Sequence, residues 1–165
     1  MQPRKNLNDA IITANDLKTM PMQDRKMFLN PWLKENQIVL MVGPRGVGKT
    51  WSALSALKEV SQGGKFGPWE CGEPIPVLFL DGEMSLNDLQ ERIKEIQSNS
   101  QFYIYSCAYA NEIGLPRAHL INKRWRDEMK MVLSERNIKL WAIDILASLA
   151  SGIDENAKRD PGVDS

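Results

Sequence analysis

One short stretch limits the folds open to this chain. In Gly43-Pro44-Arg45-Gly46-Val47-Gly48-Lys49-Thr50, two glycines frame four residues and Lys-Thr follows. The continuous apolar run Ile38-Val39-Leu40-Met41-Val42 precedes it, and a segment with Leu54, Leu57 and Val60 at three-residue steps comes after. A short, partly β-branched run reads as a strand covered on both faces, and the three-residue spacing as an amphipathic helix over 49–61, ended by Gly63-Gly64. The glycines therefore fall on a strand-to-helix turn, the context that a phosphate-binding loop requires. Glycine lets the backbone curl so that successive N–H groups converge on an anion, and the positive end of the helix adds to the field. Lys49 would reach the terminal phosphates and the Thr50 hydroxyl would offer an oxygen to Mg²⁺. The competing reading is a glycine-rich turn that caps a helix, with Lys49 in solvent.

Strand and helix signals alternate through the rest of the chain. Val77-Leu78-Phe79-Leu80 ends at Asp81, and a helix begins at Ser85 with Leu86, Leu89, Ile93 and Ile96 in helical spacing. Ser85 and Asp88 have the form of a capping box. A third strand is expected over 102–106, a further helix on Trp125, Met129, Val132 and Leu133, and a fourth strand at Leu140-Trp141-Ala142-Ile143 running into Asp144. This order selects an α/β fold with a mainly parallel sheet and helices on both faces. Residues 1–36 read as an N-terminal leader whose end, Phe28-Leu29-Asn30-Pro31-Trp32-Leu33, docks on the core; residues 37–153 form that core, and residues 154–165 a polar, frayed tail.

A nucleotide-bound Mg²⁺ needs a second carboxylate at the end of a buried strand, and Asp144 is the candidate. Periodicity alone leaves a second reading open, in which Asp144 lies within one apolar helix over 138–150. Hydrolysis also needs a group that orients or deprotonates water. Asp81-Gly82-Glu83 closes the second strand, and ligands of parallel sheets sit at the carboxyl ends of the strands. Glu83 is the candidate for that role, with Asp81 in support. The alternative is that Glu83 merely favours the N-terminus of the helix that follows.

With 21 Lys and Arg against 21 Asp and Glu, no global field draws the chain to nucleic acid or to an anionic membrane. Basic residues thicken over 117–130, with His119 and Trp125 among them. They read either as a single-strand contact or, with Asp127 and Glu128 diluting the charge, as a solvated helix face with Trp125 in the core. Two cysteines and a single histidine cannot supply a zinc site between them, and the thiols read as reduced, in a cytoplasmic protein. No apolar stretch reaches membrane-spanning length.

Taken together, these residues resemble the RecA-like P-loop ATPases of the RepA type, the hexameric replicative helicase group of plasmids, phages and mobile elements. The likeness covers Asn30-Pro31-Trp32-Leu33, the loop from Gly43 to Thr50 with Trp51, Leu80-Asp81-Gly82-Glu83-Met84 with Leu89-Gln90-Glu91-Arg92, Ile143-Asp144, and Ser151-Gly152-Ile153-Asp154-Glu155-Asn156. The resemblance implies that Gly43, Pro44, Arg45, Gly46, Val47, Gly48, Lys49, Thr50 and Trp51 bind ATP. Thr50 and Asp144 hold Mg²⁺, Asp144 through water, while Glu83 and Lys49 serve hydrolysis. It further implies a homo-oligomeric ring around single-stranded DNA. In that group further strands past Asp144 carry a sensor residue and a trans-acting arginine, for which this sequence offers no counterpart. Two functions follow as expectations: an Mg²⁺-dependent ATPase module of a DNA helicase or replication motor, or a nucleotide-binding interaction module without hydrolysis. A small-molecule kinase ranks below both.

Overall fold

The computed structural model describes residues 6–144 and 146–149. Among these, a helical turn at Leu7–Ala10 and helix α1 (Ala14–Thr19) open the chain, each started by a side-chain cap from Asn6 or Thr13 and neither burying a residue. Strands β1 (Met27–Leu29) and β2 (Leu33–Lys34) then pair antiparallel across the cis Asn30–Pro31 peptide. Phe28, Leu29 and Leu33 are buried in the main core, so this end of the N-terminal segment is part of the packed body.

Helix α2 (Lys49–Gln62) begins at Gly48 and stops at Gly63, both in the left-handed region where a side chain would be strained. The glycine- and proline-rich stretch after it contains a small hairpin of β3 (Lys65–Phe66) and β4 (Trp69–Glu70) that sequence periodicity did not signal. Its two-residue strands are too short for alternation to register. The hairpin holds the N-terminal one through Asn30 N–H to the Glu70 carbonyl (2.8 Å) and through the edge-on contact of Trp32 with Trp69.

The sheet that carries the site is three-stranded and parallel among the described residues, in the order β6-β5-β7, built from β5 (Val77–Asp81), β6 (Phe102–Ser106) and β7 (Leu140–Asp144). Every residue of the central β5 is buried, which explains its unbroken apolar run. Its side chains alternate between two cores. Val77 and Phe79 meet Leu54, Leu57 and Val60 of α2 and Leu89 of helix α3 (Leu86–Glu95), whereas Leu78 and Leu80 join Trp125 and Met129 of helix α5 (Lys123–Glu135) and Leu149 of α6 (Leu146–Leu149). Helices thus cover both faces. Between β6 and α5 lies helix α4 (Cys107–Glu112), capped by the Ser106 hydroxyl and not foreseen from spacing.

The expected first strand is a correction. Ile38, Val39, Leu40, Met41 and Val42 form no ladder and are exposed, Ile38 at 99% and Leu40 at 71%. Apolar content marks a strand only where a neighbour completes its hydrogen bonds. Here the chain leaves β2 through a tight turn, in which the Gln37 N–H reaches the Lys34 carbonyl, the Gln37 side chain accepts from the Lys34 N–H, and Asn36 sits at φ 60°. That turn directs the run away from the sheet. The alternative of one long helix through Asp144 does not occur, because residues up to Asp144 are strand β7. At α3 the Ser85 hydroxyl accepts from the Asp88 N–H (3.1 Å), while the Asp88 carboxylate takes the Ser85 hydroxyl rather than a backbone amide. The tail over 154–165 and the stretch from Ser151 to Asn156 lie outside the described residues.

Candidate nucleotide-binding site

The loop before α2 has the backbone that a phosphate cradle requires. Gly46 and Gly48 stand at φ 81° and 86°, and a Cβ on either would meet no atom within 4 Å, so the backbone conformation rather than crowding selects glycine there. No side chain caps α2, which leaves its first amides open. The Lys49 ammonium donates to the carbonyls of Gly43 and Pro44, each at 2.8 Å, and so lies inside the loop rather than in solvent. Pro44, Arg45, Gly46 and Val47 are exposed along the rim. One turn into the helix, the Trp51 ring faces the Arg92 guanidinium of α3 at 5.6 Å.

The three strands end on one level. Asp81 is in register with Ser106 on one side and Asp144 on the other, and the Gly82 N–H donates to the Asp144 carbonyl (2.7 Å). Thr50 closes the gap to the loop, because its hydroxyl donates to Asp144 Oδ2 at 2.5 Å. Lys49, Thr50 and Asp144 are therefore brought together with Asp81 at the carboxyl end of the sheet. Glu83 follows on the turn out of β5, its side chain exposed. Asp81 is buried, and burial pushes its carboxyl above the usual carboxylate range, against the two amides that bond it; Asp144 and Glu83 nearby push the same way as burial.

Two features of this end were not read from the sequence. Ser106 ends β6 where the sequence puts that strand's end, but its place beside the site, level with Asp81, follows only from the register. A cleft of about 330 Å³ opens beside Glu83, lined by Met84 of the same turn, by Cys107 and Asn111 of α4 and by Arg117 of the loop beyond it. The basic stretch over 117–130 resolves differently: Lys123 and Lys130 pair with Asp127, Arg124 with Glu128, Arg126 donates to the carbonyls of Leu120 and Ile121, and Trp125 is buried. From Lys123 on it is a solvated, ion-paired face of α5 with Trp125 in the core, as one of the two sequence readings has it, whereas residues 117–122 form the loop before that helix.

Among the described residues no group of three or more His, Cys, Asp or Glu is arranged to hold a metal unaided. The one hydroxyl and one carboxylate at Thr50 and Asp144 suit a hard cation that takes its other ligands from water and phosphate oxygens. Nor is any helix among these residues long and apolar enough to cross a membrane.

A family model described as an AAA domain matches residues 2–164. The chain belongs to the AAA domain family. Neither a curated protein nor a solved structure matches it. As an AAA domain it is a nucleotide-binding P-loop protein, and its parallel sheet flanked by helices accords with a RecA-like P-loop fold.

Proposed function

We propose that the chain is an Mg²⁺-dependent ATPase module of a RepA- or RecA-like DNA helicase or replication motor. The supporting observation is the Thr50–Asp144 hydrogen bond, which sets a glycine-rich loop with an inward Lys49 against a strand-end carboxylate, with Glu83 leaving the adjacent strand. In this reading the amides at the start of α2 and the Lys49 ammonium bind the β- and γ-phosphates of ATP. Thr50 and, through water, Asp144 would hold Mg²⁺, which would supply positive charge to offset the charge that develops on the phosphates. Glu83 accepts the proton of the attacking water, an acid outside the core being free to swing toward the phosphate.

The assay is phosphate release by the purified chain with ATP and Mg²⁺, with and without single-stranded DNA. Lys49→Ala is expected to lose nucleotide binding. Glu83→Gln is expected to keep binding and lose roughly 10² to 10⁴ in turnover. Turnover that survives Glu83→Gln unchanged refutes the role of Glu83, and turnover indifferent to DNA at every salt concentration refutes the motor assignment.

A further inference from the structure

Asp81 is the costliest residue in the sheet to explain by packing. It ends the fully buried β5 at 1% exposure, and its Oδ2 has no hydrogen-bond partner among the described residues. An apolar side chain there would avoid the penalty of burying a carboxylate. Its other oxygen is engaged: Oδ1 accepts from the N–H groups of Glu83 (3.4 Å) and Met84 (3.2 Å), the pattern by which an aspartate fixes the turn that follows it. The Gly82 N–H is meanwhile bonded to the Asp144 carbonyl on β7. Three consecutive amides are thus tied to the strand ends, two of them by a single side chain, and Ser85 caps α3 immediately afterwards.

We propose that Asp81 is the positioning residue of the site, holding the backbone of Glu83 so that its exposed carboxylate has only side-chain rotations left with which to reach the nucleotide. The inference rests on the assignment of Glu83 as the group that activates water. Asp81 touches neither phosphate nor water in this scheme. It acts through the turn, and its carboxylate is retained at a buried position because no apolar residue can accept two amides.

The test compares Asp81→Leu, which keeps the branched shape in a larger volume and removes the acceptor, with Asp81→Asn, which keeps an acceptor oxygen. Asp81→Leu is expected to lower kcat roughly ten- to a hundredfold, the scale of a small misplacement of a reacting group, with nucleotide affinity little changed. Asp81→Asn is expected to restore most of that loss. In a Glu83→Gln background Asp81→Leu should add almost nothing, because its effect passes through Glu83. Full turnover in Asp81→Leu, a multiplicative loss in the double variant, or a loss of nucleotide affinity equal to the loss of turnover would each overturn the proposal. Hydrogen exchange of the unmodified protein gives an arm independent of variant folding: the Glu83 and Met84 amides should exchange slowly, and exchange as fast as in an open loop overturns the pinned turn. If Glu83→Gln keeps turnover, the assignment of Glu83 fails and the inference with it; if Glu83→Gln abolishes turnover and Asp81→Leu does not, the inference alone fails.

Discussion

Thr50 and Asp144 stand 94 positions apart in the sequence, and their hydrogen bond joins the loop to the sheet without help from the run that precedes the loop. A hydroxyl donating to a carboxylate is a charge-assisted bond, worth more than a neutral one, and here it is partly buried. Thr50→Val keeps the side-chain shape and removes the donor, so it should destabilise the nucleotide-free protein by about 1 to 3 kcal/mol in urea unfolding, whereas Thr50→Ser should cost well under that. A Thr50→Val variant as stable as the parent would mean that packing of α2 alone holds the loop. The two cysteines give a second test at this scale. Burial pushes both thiols above their ordinary value, with the negative charge of Glu59 adding to the effect at Cys71 and that of Asp81 at Cys107, while Arg117 and a backbone hydrogen bond at Ala118 oppose it at Cys107. A raised thiol holds less thiolate at a given pH, and the thiolate is the nucleophile. Alkylation by iodoacetamide at neutral pH should therefore be slower in the folded protein than in urea, with the difference narrowing as pH rises past the normal thiol range. Equal rates folded and unfolded would contradict the partial burial of these two side chains.

At the scale of elements, the sequence was most readable where side chains are decided by local spacing. Helix α2, β5, β6 and β7 lie where apolar period, glycine stops and strand-end acids put them, and the loop, Glu83 and Asp144 come with them. The strand 38–42 was misread because the same apolar run can be extended and exposed; ladder partners and the Lys34–Gln37 turn decide, and neither is visible in hydrophobicity. The β1–β2 and β3–β4 hairpins escaped for a related reason, since two- and three-residue strands carry no period and depend on contacts between segments such as Leu29 with Cys71. Mutation separates the two kinds of apolar residue. Ile38→Ser and Leu40→Ser should change stability by no more than about 0.5 kcal/mol, as for surface positions. Phe79→Ala, at a fully buried position of β5, should cost about 3 to 5 kcal/mol. A loss of several kcal/mol at Ile38 or Leu40 in calorimetry would place that run inside the folded core after all.

For the whole molecule, the decisive property is that the proposed ligand would contact both the loop, tied to the sheet through Thr50 and the packing of α2, and the strand-end acids. The loop touches the sheet through Thr50, its preceding run is exposed, and the strand ends present Asp81 and Asp144 side by side. A ligand that brings Mg²⁺ and a phosphate chain to this end binds the folded state and has no equivalent site in the unfolded one, so binding must appear as stability. At a hundredfold excess over Kd the linkage amounts to about 2.7 kcal/mol. For a chain of 165 residues each kcal/mol moves the midpoint by about 2 to 4 °C, so Tm should rise by roughly 5 to 11 °C. The same shift should vanish in Lys49→Ala, which loses the ammonium inside the loop, and should shrink when EDTA removes Mg²⁺. Inorganic sulfate at equal ionic strength is the control for a general salt effect of the nucleotide. A Tm indifferent to ATP and Mg²⁺, or a rise that Lys49→Ala retains in full, would remove the loop from the binding site.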